Sequence, residues 1–354
     1  MKAKSMVSLL LCACLLCAPL CLGACGGGPA INVYNWGEYI ADGTGGSRNI
    51  IQEFEKSTGI KVNYTNFTTN EELYAVLAGG GVHYDVIFPS DYLIQRLIEE
   101  DRLQPLDYAD IPNYSYIMEE YRDLYYDPGN VHSIPYTCGT MGLIYNKTLV
   151  RTPPDSWGAL WDPQYAGQIL QFASPRDAFG TAQLLLGLDV NSTDEADWRA
   201  AAEKLKEQAP LLQSYVADEI YNIMEGGNAA VAPYYAGDYI TMAENNGDLA
   251  FVYPKEGINL FYDAMCVPKD AQNPQAAQQF INFLLEPDVA LANAEIVRYA
   301  TPHAAVRANP KYTLQGNPYL YRDPSELPPI QYYKHLPRET LTLMNNLWTE
   351  VKQS

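Results

Sequence analysis

With 354 residues the chain is long enough for a sizeable core and for more than one domain. Hydrophobic residues make up 47% and charged residues only 18%, which excludes an intrinsically disordered chain. A formal net charge of −19 disfavours nucleic acid and anionic lipid headgroups as partners and suits a cationic ligand, although acidity is also common among exported soluble proteins.

Lys2 and Lys4 precede the apolar run "MVSLLLCACLLCAPLCLGAC", which reads as a secretory signal over residues 1–24 rather than a membrane span. Its end, Leu22-Gly23-Ala24-Cys25, resembles a bacterial lipobox. That resemblance implies lipidation of Cys25, with residues 25–30 forming a glycine-rich tether. The competing reading is an ordinary cleaved leader in which Cys25 is incidental. Cys12, Cys14, Cys17 and Cys21 also lie in the leader, so only Cys138 and Cys266 belong to the body. Their apolar contexts predict buried free thiols; no spacing rule supports a bridge between them.

"INVYNW" alternates as a strand, and "SRNIIQEFEKSTG" places Ile50, Ile51 and Phe54 on one helical face ending at Gly59. "IKVNYTNF" predicts a second strand, and "TNEELYAVLAGGG" a helix with a Thr69–Glu72 capping box. "YDVIF" predicts a short third strand, after which Ser90 is placed to cap "DYLIQRLIEEDRL". The alternation of strand and helix predicts a parallel sheet covered by helices. Ligands of such sheets sit beyond the carboxyl ends of the strands, where "YNWGEY" and "PSDY" both fall. A second unit follows "HSIPYTCGTMGLIYNKTLV". It holds a helix at "RDAFGTAQLLLG", a helix capped from Ser192 with Glu195, a strand in "NAAVAPYYAGDY", two strands in "AFVYPKEGINLFYDAMCVP" and an interrupted amphipathic helix in "AAQQFINFLLEPDVALANAEIV".

The four histidines are scattered, no cysteines stand at metal-ligand spacing, and neither a phosphate loop nor a Gly-x-Ser-x-Gly elbow occurs. No catalytic residue, metal site or cofactor is therefore assigned; paired carboxylates of a glycosidase type stay open, because acids are plentiful. Aromatics interleaved with carboxylates do stand out: Trp36, Glu38 and Tyr39; Asp91 and Tyr92; Asp177; Tyr234, Tyr235 and Asp238; Phe261, Tyr262 and Asp263. A cation over an aromatic face gains ~0.5–2 kcal/mol, and flat rings grip an alkyl chain by dispersion. The pattern suits a small organic polycation. With 28 tyrosines, chance also places many beside an acid. Trp36 then becomes a core anchor, Asp91 a first-turn helix acid and Asp177 a surface charge.

"YNWGEYI", "FEKSTGIKVNY", "YDVIFPSDY", "SIPYTCGTMGLIYNK", "SWGALWDPQYAGQI", "VYPKEG", "INFLLEPDVA" and "RYATPHAAV", in this order, resemble the spermidine/putrescine-binding proteins of polyamine ABC importers. The resemblance covers nearly the whole mature chain. It implies an α/β, two-lobed type II periplasmic-binding fold, each lobe a mixed sheet flanked by helices, with a ligand cleft between them. Residues 31–138 plus 264–308 would form the first lobe, and 139–263 plus 309–354 the second. It further implies an exported monomer, lipid-anchored on the outer face of the cytoplasmic membrane, that closes over a polyamine and delivers it to a membrane permease.

By the same resemblance, Trp36 and Tyr39 match aromatics that pack on the ligand, and Glu38 matches a pocket carboxylate. Ser90 and Tyr92 match the pair after the third strand, and Asp177 an amine-binding acid. Tyr234 and Phe261 fall where tryptophan is frequent, Asp263 matches the central carboxylate, and Tyr299 the aromatic near the last hinge. Gly37 replaces a frequent hydroxyl residue, and Ala173 and Ser174 replace a common Asp; Asp91 or Asp238 is a candidate for the missing charge. Fewer carboxylates with more tyrosine would favour putrescine over spermidine, or another cationic ligand altogether, bound by the same fold. Three rivals remain: a ferric-iron binder using Tyr234 and Tyr235, an exported hydrolase, and a surface adhesin.

Overall fold

The computed structural model describes residues 29–354; the leader, Cys25 and Gly26 to Gly28 fall outside the described residues. The first elements are β1 (Ala30–Trp36), α1 (Ile50–Thr58), β2 (Lys61–Phe67), α2 (Asn70–Gly79), β3 (Val86–Ile87) and α3 (Asp91–Glu99), the alternation that the periodicity predicts. β1 runs parallel to β2, from Ala30 opposite Lys61 to Trp36 opposite Phe67, and parallel to β3. Ile31 and Val33 of the inner strand are fully buried, whereas β2, at the sheet edge, alternates exposed and half-buried residues from Lys61 to Thr65 and ends on the buried Phe67. Thr69 caps α2 by accepting the Glu72 amide at 3.0 Å. The Glu72 carboxylate returns to the Thr68 amide and hydroxyl, so the capping box is displaced by one residue.

The chain continues through β4 (Ser133–Asn146), β5 (Ile169–Phe172), α4 (Pro175–Leu186), α5 (Glu195–Gln208), β6 (Leu212–Val216), α6 (Glu219–Glu225), β7 (Val231–Tyr235), α7 (Ala236–Asn245) and β8 (Leu249–Val252). It ends with β9 (Ile258–Cys266), α8 (Pro274–Leu284), α9 (Pro287–Val297), α10 (Ala304–Arg307), β10 (Ile330–Gln331) and α11 (Arg338–Val351). The helix predicted as interrupted is α8 and α9, broken before Pro287. The cap of α5 is Asp194, not Ser192: the Asp194 carboxylate accepts the Ala196 amide, while the Ser192 hydroxyl donates to Asp197. Ser90 stands at the N-cap of α3 without a capping bond, because its hydroxyl is committed to Asp263.

Strand order is β2-β1-β3-β9-β4-β7-β5-β6, with β8 paired to β4 and β10 to β9. β4 is the pivot of this arrangement. Its first half pairs antiparallel with β9, from Ser133 opposite Cys266 to Thr140 opposite Leu260, with a register shift between Pro135 and Thr137. Its second half pairs with β7 and β8. Pro135 lacks an amide hydrogen, and such residues are tolerated in strands at irregularities of this kind. Separate apolar cores lie to either side. One gathers Val33, Phe54, Phe88 and Phe280 around β1 and β3, with Phe54 and Phe280 edge to face at 5.0 Å. The other gathers Trp157, Phe179, Trp198 and Met344 around β5 and β7. Cys138 and Cys266 are both free thiols; Cys266 is buried and Cys138 half-buried.

Candidate functional site

The carboxyl ends of β1, β3, β5, β6 and β7 converge on one cavity between the two cores, and β9 crosses its floor. It encloses about 940 Å³ of non-atom space, its mouth included. Of the residues singled out above, Trp36, Glu38, Tyr39, Ser90, Asp91, Tyr92, Asp177, Tyr234, Tyr235, Asp238, Phe261, Asp263 and Tyr299 line it, and Tyr262 does not.

Asp263 lies on β9 at the centre and is 3% exposed. The Tyr39 hydroxyl donates to its Oδ2 at 2.7 Å and the Ser90 hydroxyl to its Oδ1 at 2.6 Å. Asn70 fixes Ser90 in turn, donating to its hydroxyl at 3.0 Å and accepting its amide at 3.1 Å. Burial pushes the Asp263 carboxyl up to about 6, against the lowering effect of the Ser90 and Tyr39 hydrogen bonds.

Two further acids sit on the facing wall. Asp177, in the first turn of α4, accepts the Tyr235 hydroxyl at 2.9 Å, and burial raises its carboxyl. Its neighbour Arg176 is turned away, donating to the Val190 carbonyl and to Asn191. Asp238, in the first turn of α7, accepts the hydroxyls of Tyr221 and Tyr299, the latter at 2.6 Å. Burial lifts it to about 6 against those two hydrogen bonds, with Asp218 and Asp263 adding repulsion. The partners of all three acids are neutral donors. Each carboxylate is left with lone pairs and a charge that a bound cation would satisfy.

The aromatic residues form a continuous surface around these acids. Trp36 is half-buried, held by a bond from its Nε1 to the Phe88 carbonyl at 2.8 Å and backed by Phe67 at 4.4 Å. Tyr39, Tyr299, Phe261 and Tyr235 meet edge to face in a chain of centroid distances 5.5, 5.9 and 5.3 Å. Tyr299 fits because glycines leave room on both sides. A Cβ on Gly139 would fall 2.8 Å from its ring and one on Gly237 only 2.5 Å.

The predicted residues differ in how they face this space. Asp91 is fully buried and accepts the Tyr125 hydroxyl and the Tyr92 and Tyr262 amides, which makes it a brace between α3 and β9. Burial moves its carboxyl up to about 7. Glu38 is exposed at the rim with a positive φ of 51°. Tyr92 donates to Glu71 at 3.1 Å. Tyr234 stacks on Phe172 at 5.4 Å and is 6% exposed, so Tyr235, which the sequence placed in the same aromatic–carboxylate cluster but which the family resemblance did not single out, is the freer phenol of the pair. Phe67, Phe172, Asp218, Tyr221 and Tyr333 also line the cavity and were not anticipated. Asp238 follows Tyr235 by three residues beyond a strand end, the same signal that exposed Ser90 and Tyr92.

Comparison with known proteins agrees with this architecture. A putrescine-binding periplasmic protein, SpuD, from Pseudomonas aeruginosa is 30% identical over 344 residues, 91% of each chain. A solved structure from Listeria monocytogenes, provisionally a spermidine/putrescine ABC transporter protein, is 38% identical with a TM-score of 0.87, covering 92% of this chain and 99% of its own. The spermidine/putrescine ABC transporter substrate-binding protein PotD from Streptococcus pneumoniae is 34% identical with a TM-score of 0.74 over the same shares. The fold is thus the two-lobed periplasmic-binding fold, with its cleft between the lobes. The model for bacterial extracellular solute-binding proteins matches residues 49–318, and the chain belongs to that family.

Proposed function

We propose that this protein is the extracytoplasmic binding component of an ABC importer for a small polyamine, putrescine or spermidine. The observation that carries the reading is the charge balance of the cleft: Asp177, Asp238 and Asp263 point into an aromatic cage, and their hydrogen-bond partners are neutral hydroxyls. Ammonium groups would pair with these acids, and the methylene chain between them would lie against Trp36, Tyr39, Phe261 and Tyr299. The names of the relatives support the same ligand class.

In this reading the β1–β3 side and the β5–β7 side close over the amine about β4 and β9. The lobes would comprise residues 31–138 with 264–308 and 139–263 with 309–354. Closure excludes water and strengthens each ion pair. It also presents the membrane permease with a shape that the empty protein lacks. Cys25 would carry a lipid that holds a monomeric body at the outer face of the membrane, and the protein would bind one ligand without turning it over. Ferric iron suits the site less well, because burial raises the Tyr234 and Tyr235 phenols well above their ordinary value, opposing the phenolate form that ferric coordination uses.

Isothermal titration of the form beginning after Cys25, against putrescine, spermidine and ferric citrate in parallel, tests the proposal. Binding of one polyamine per chain is the expected result. Silence toward both amines would overturn it.

A further inference from the structure

Asp218 and Gly37 face each other across the mouth of the cavity. Gly37 follows Trp36 at the end of β1, and Asp218 ends the short loop after β6; both line the cavity. A Cβ on Gly37 would fall 2.5 Å from the Asp218 Oδ2 and 3.4 Å from its Cγ. That separation is shorter than any real Cβ contact, so a side chain at position 37 would make the Asp218 carboxylate turn aside from this position. Asp218 stands at the N-cap of α6 with no side-chain capping bond. Among the described residues its carboxylate accepts no hydrogen bond and pairs with no cation, in contrast to Asp177, Asp238 and Asp263, each of which is held by a hydroxyl donor. It lies close enough to Asp238, Tyr221 and Tyr234 to raise the pKa of each by charge repulsion.

We propose that Asp218 is a specificity-determining carboxylate that joins Asp238 in receiving one primary ammonium terminus of the ligand, and that Gly37 is the residue that admits it. The inference deepens the polyamine reading and rests on it. A primary ammonium carries three N–H donors, enough for both carboxylates and one phenol oxygen, whereas a secondary amine offers two. Asp218 is the exposed member of the pair and Asp238 the half-buried one. Because Asp218 stands against Gly37 of the opposite wall, its contact with that terminus depends on the two walls meeting there.

The test is a set of titrations with putrescine and spermidine on the full soluble chain. Asp218→Asn should weaken binding about three- to tenfold, and the deficit should shrink at high salt, as screening of a partly exposed pair requires. Asp155→Asn, which removes the same charge from an exposed ion pair with Lys255, should leave affinity unchanged. Gly37→Ser should weaken binding by a similar factor or more through collision with the Asp218 carboxylate. Adding Asp218→Gly to Gly37→Ser should bring little further loss, because both changes remove the same carboxylate contact. Circular dichroism would show that each variant is folded.

Equal affinities for Asp218→Asn and Asp155→Asn, with Gly37→Ser tolerated, would overturn the inference while leaving the polyamine reading standing. A native chain that takes up neither amine would overturn both.

Discussion

The two walls of the cleft handle charge in opposite ways. On the β1–β3 wall one acid, Asp263, is held by a relay from Asn70 through Ser90 and by Tyr39, which also touches Thr137 at 2.6 Å. The β5–β7 wall carries Asp177, Asp238 and Asp218; tyrosines donate to the first two, and Asp218 accepts no side-chain donor among the described residues. One wall sets a hydrogen-bonded acid in an aromatic plate, with Glu38 at the rim and Asp91 buried behind it; the other is an acidic cover. Bringing them together without a cation confines like charges in a site of low dielectric. A ligand can shift the open–closed equilibrium only by its differential affinity for the two states, and here that difference is the relief of this repulsion.

The largest effect should come from removing the central charge, Asp263. Asp263→Ala is expected to raise the dissociation constant for the polyamine tenfold or more, since truncating one partner of a buried charge pair costs ~2–5 kcal/mol. Calorimetric titration measures it. An unchanged constant would remove Asp263 from the binding set.

Acidification should act on both walls at once. Asp238 and Asp263 titrate at about 6 in the folded cleft, against an ordinary value of 3.8, and aliphatic amines stay protonated throughout. Lowering the pH from 7.5 to 5 should weaken binding by about tenfold for each of the two groups, as protons compete with the ligand. The unliganded protein follows the opposite course. Between about pH 4 and 6 the folded cleft binds more protons than the unfolded chain, so stability falls as pH rises through that window. The ligand-induced rise in Tm should therefore be larger at pH 7.5 than at pH 5; an equal rise would mean that these acids do not meet the ligand.

Much of the β1–β3 wall was legible in the sequence because each of its pieces follows a strand directly. "YNWGEY" and "PSDY" announce a strand end and then present their side chains within a few residues, and the period-two alternation before them fixes which end it is. The facing wall was less legible. Asp177 and Asp238 emerge from the first turns of α4 and α7, where an acid is equally well explained by the helix dipole. Tyr221 comes from the middle of α6, and its approach to Asp238 depends on how α6 and α7 pack. The pivot was least visible of all. "SIPYTCGTMGLIYN" contains Pro135 and two glycines, which locally argue against a long strand, yet it forms 14 continuous residues because β9 pairs its first half and β7 and β8 its second. The expectation of a carboxylate-poor site, and hence of a preference for the diamine, rested on reading Ala173 and Ser174 as a lost charge. Those two positions are uncharged, with Ser174 capping α4, and charge reaches the cavity from Asp238, already a candidate for it, and from Asp218.

The pivot offers the next test. Gly139→Ala would place a methyl 2.4 Å from Phe261 Cζ and 2.8 Å from the Tyr299 ring. Overpacking of this kind typically costs ~1–3 kcal/mol. Urea denaturation should show a lowered midpoint, and binding should weaken as well, because both displaced rings face the ligand. A midpoint and affinity matching the native chain would mean that Phe261 and Tyr299 yield freely and that the aromatic chain is not a fixed surface.

Trp36→Ala should have the smallest effect, and it separates the two roles open to an aromatic at a strand end. The indole is half-buried and tethered by one bond to the Phe88 carbonyl, with Phe67 behind it, whereas the fully buried Trp157 and Trp198 lie inside the other core. Removing Trp36 therefore leaves most of the β1 core intact and strips one face from the cage. A loss of ~0.5–2 kcal/mol in amine binding is expected from the missing cation–π and stacking contacts, with little change in Tm. The reverse outcome, a large fall in Tm with affinity preserved in the folded fraction, would make Trp36 a core anchor and leave Tyr39, Phe261 and Tyr299 as the surface that grips the alkyl chain.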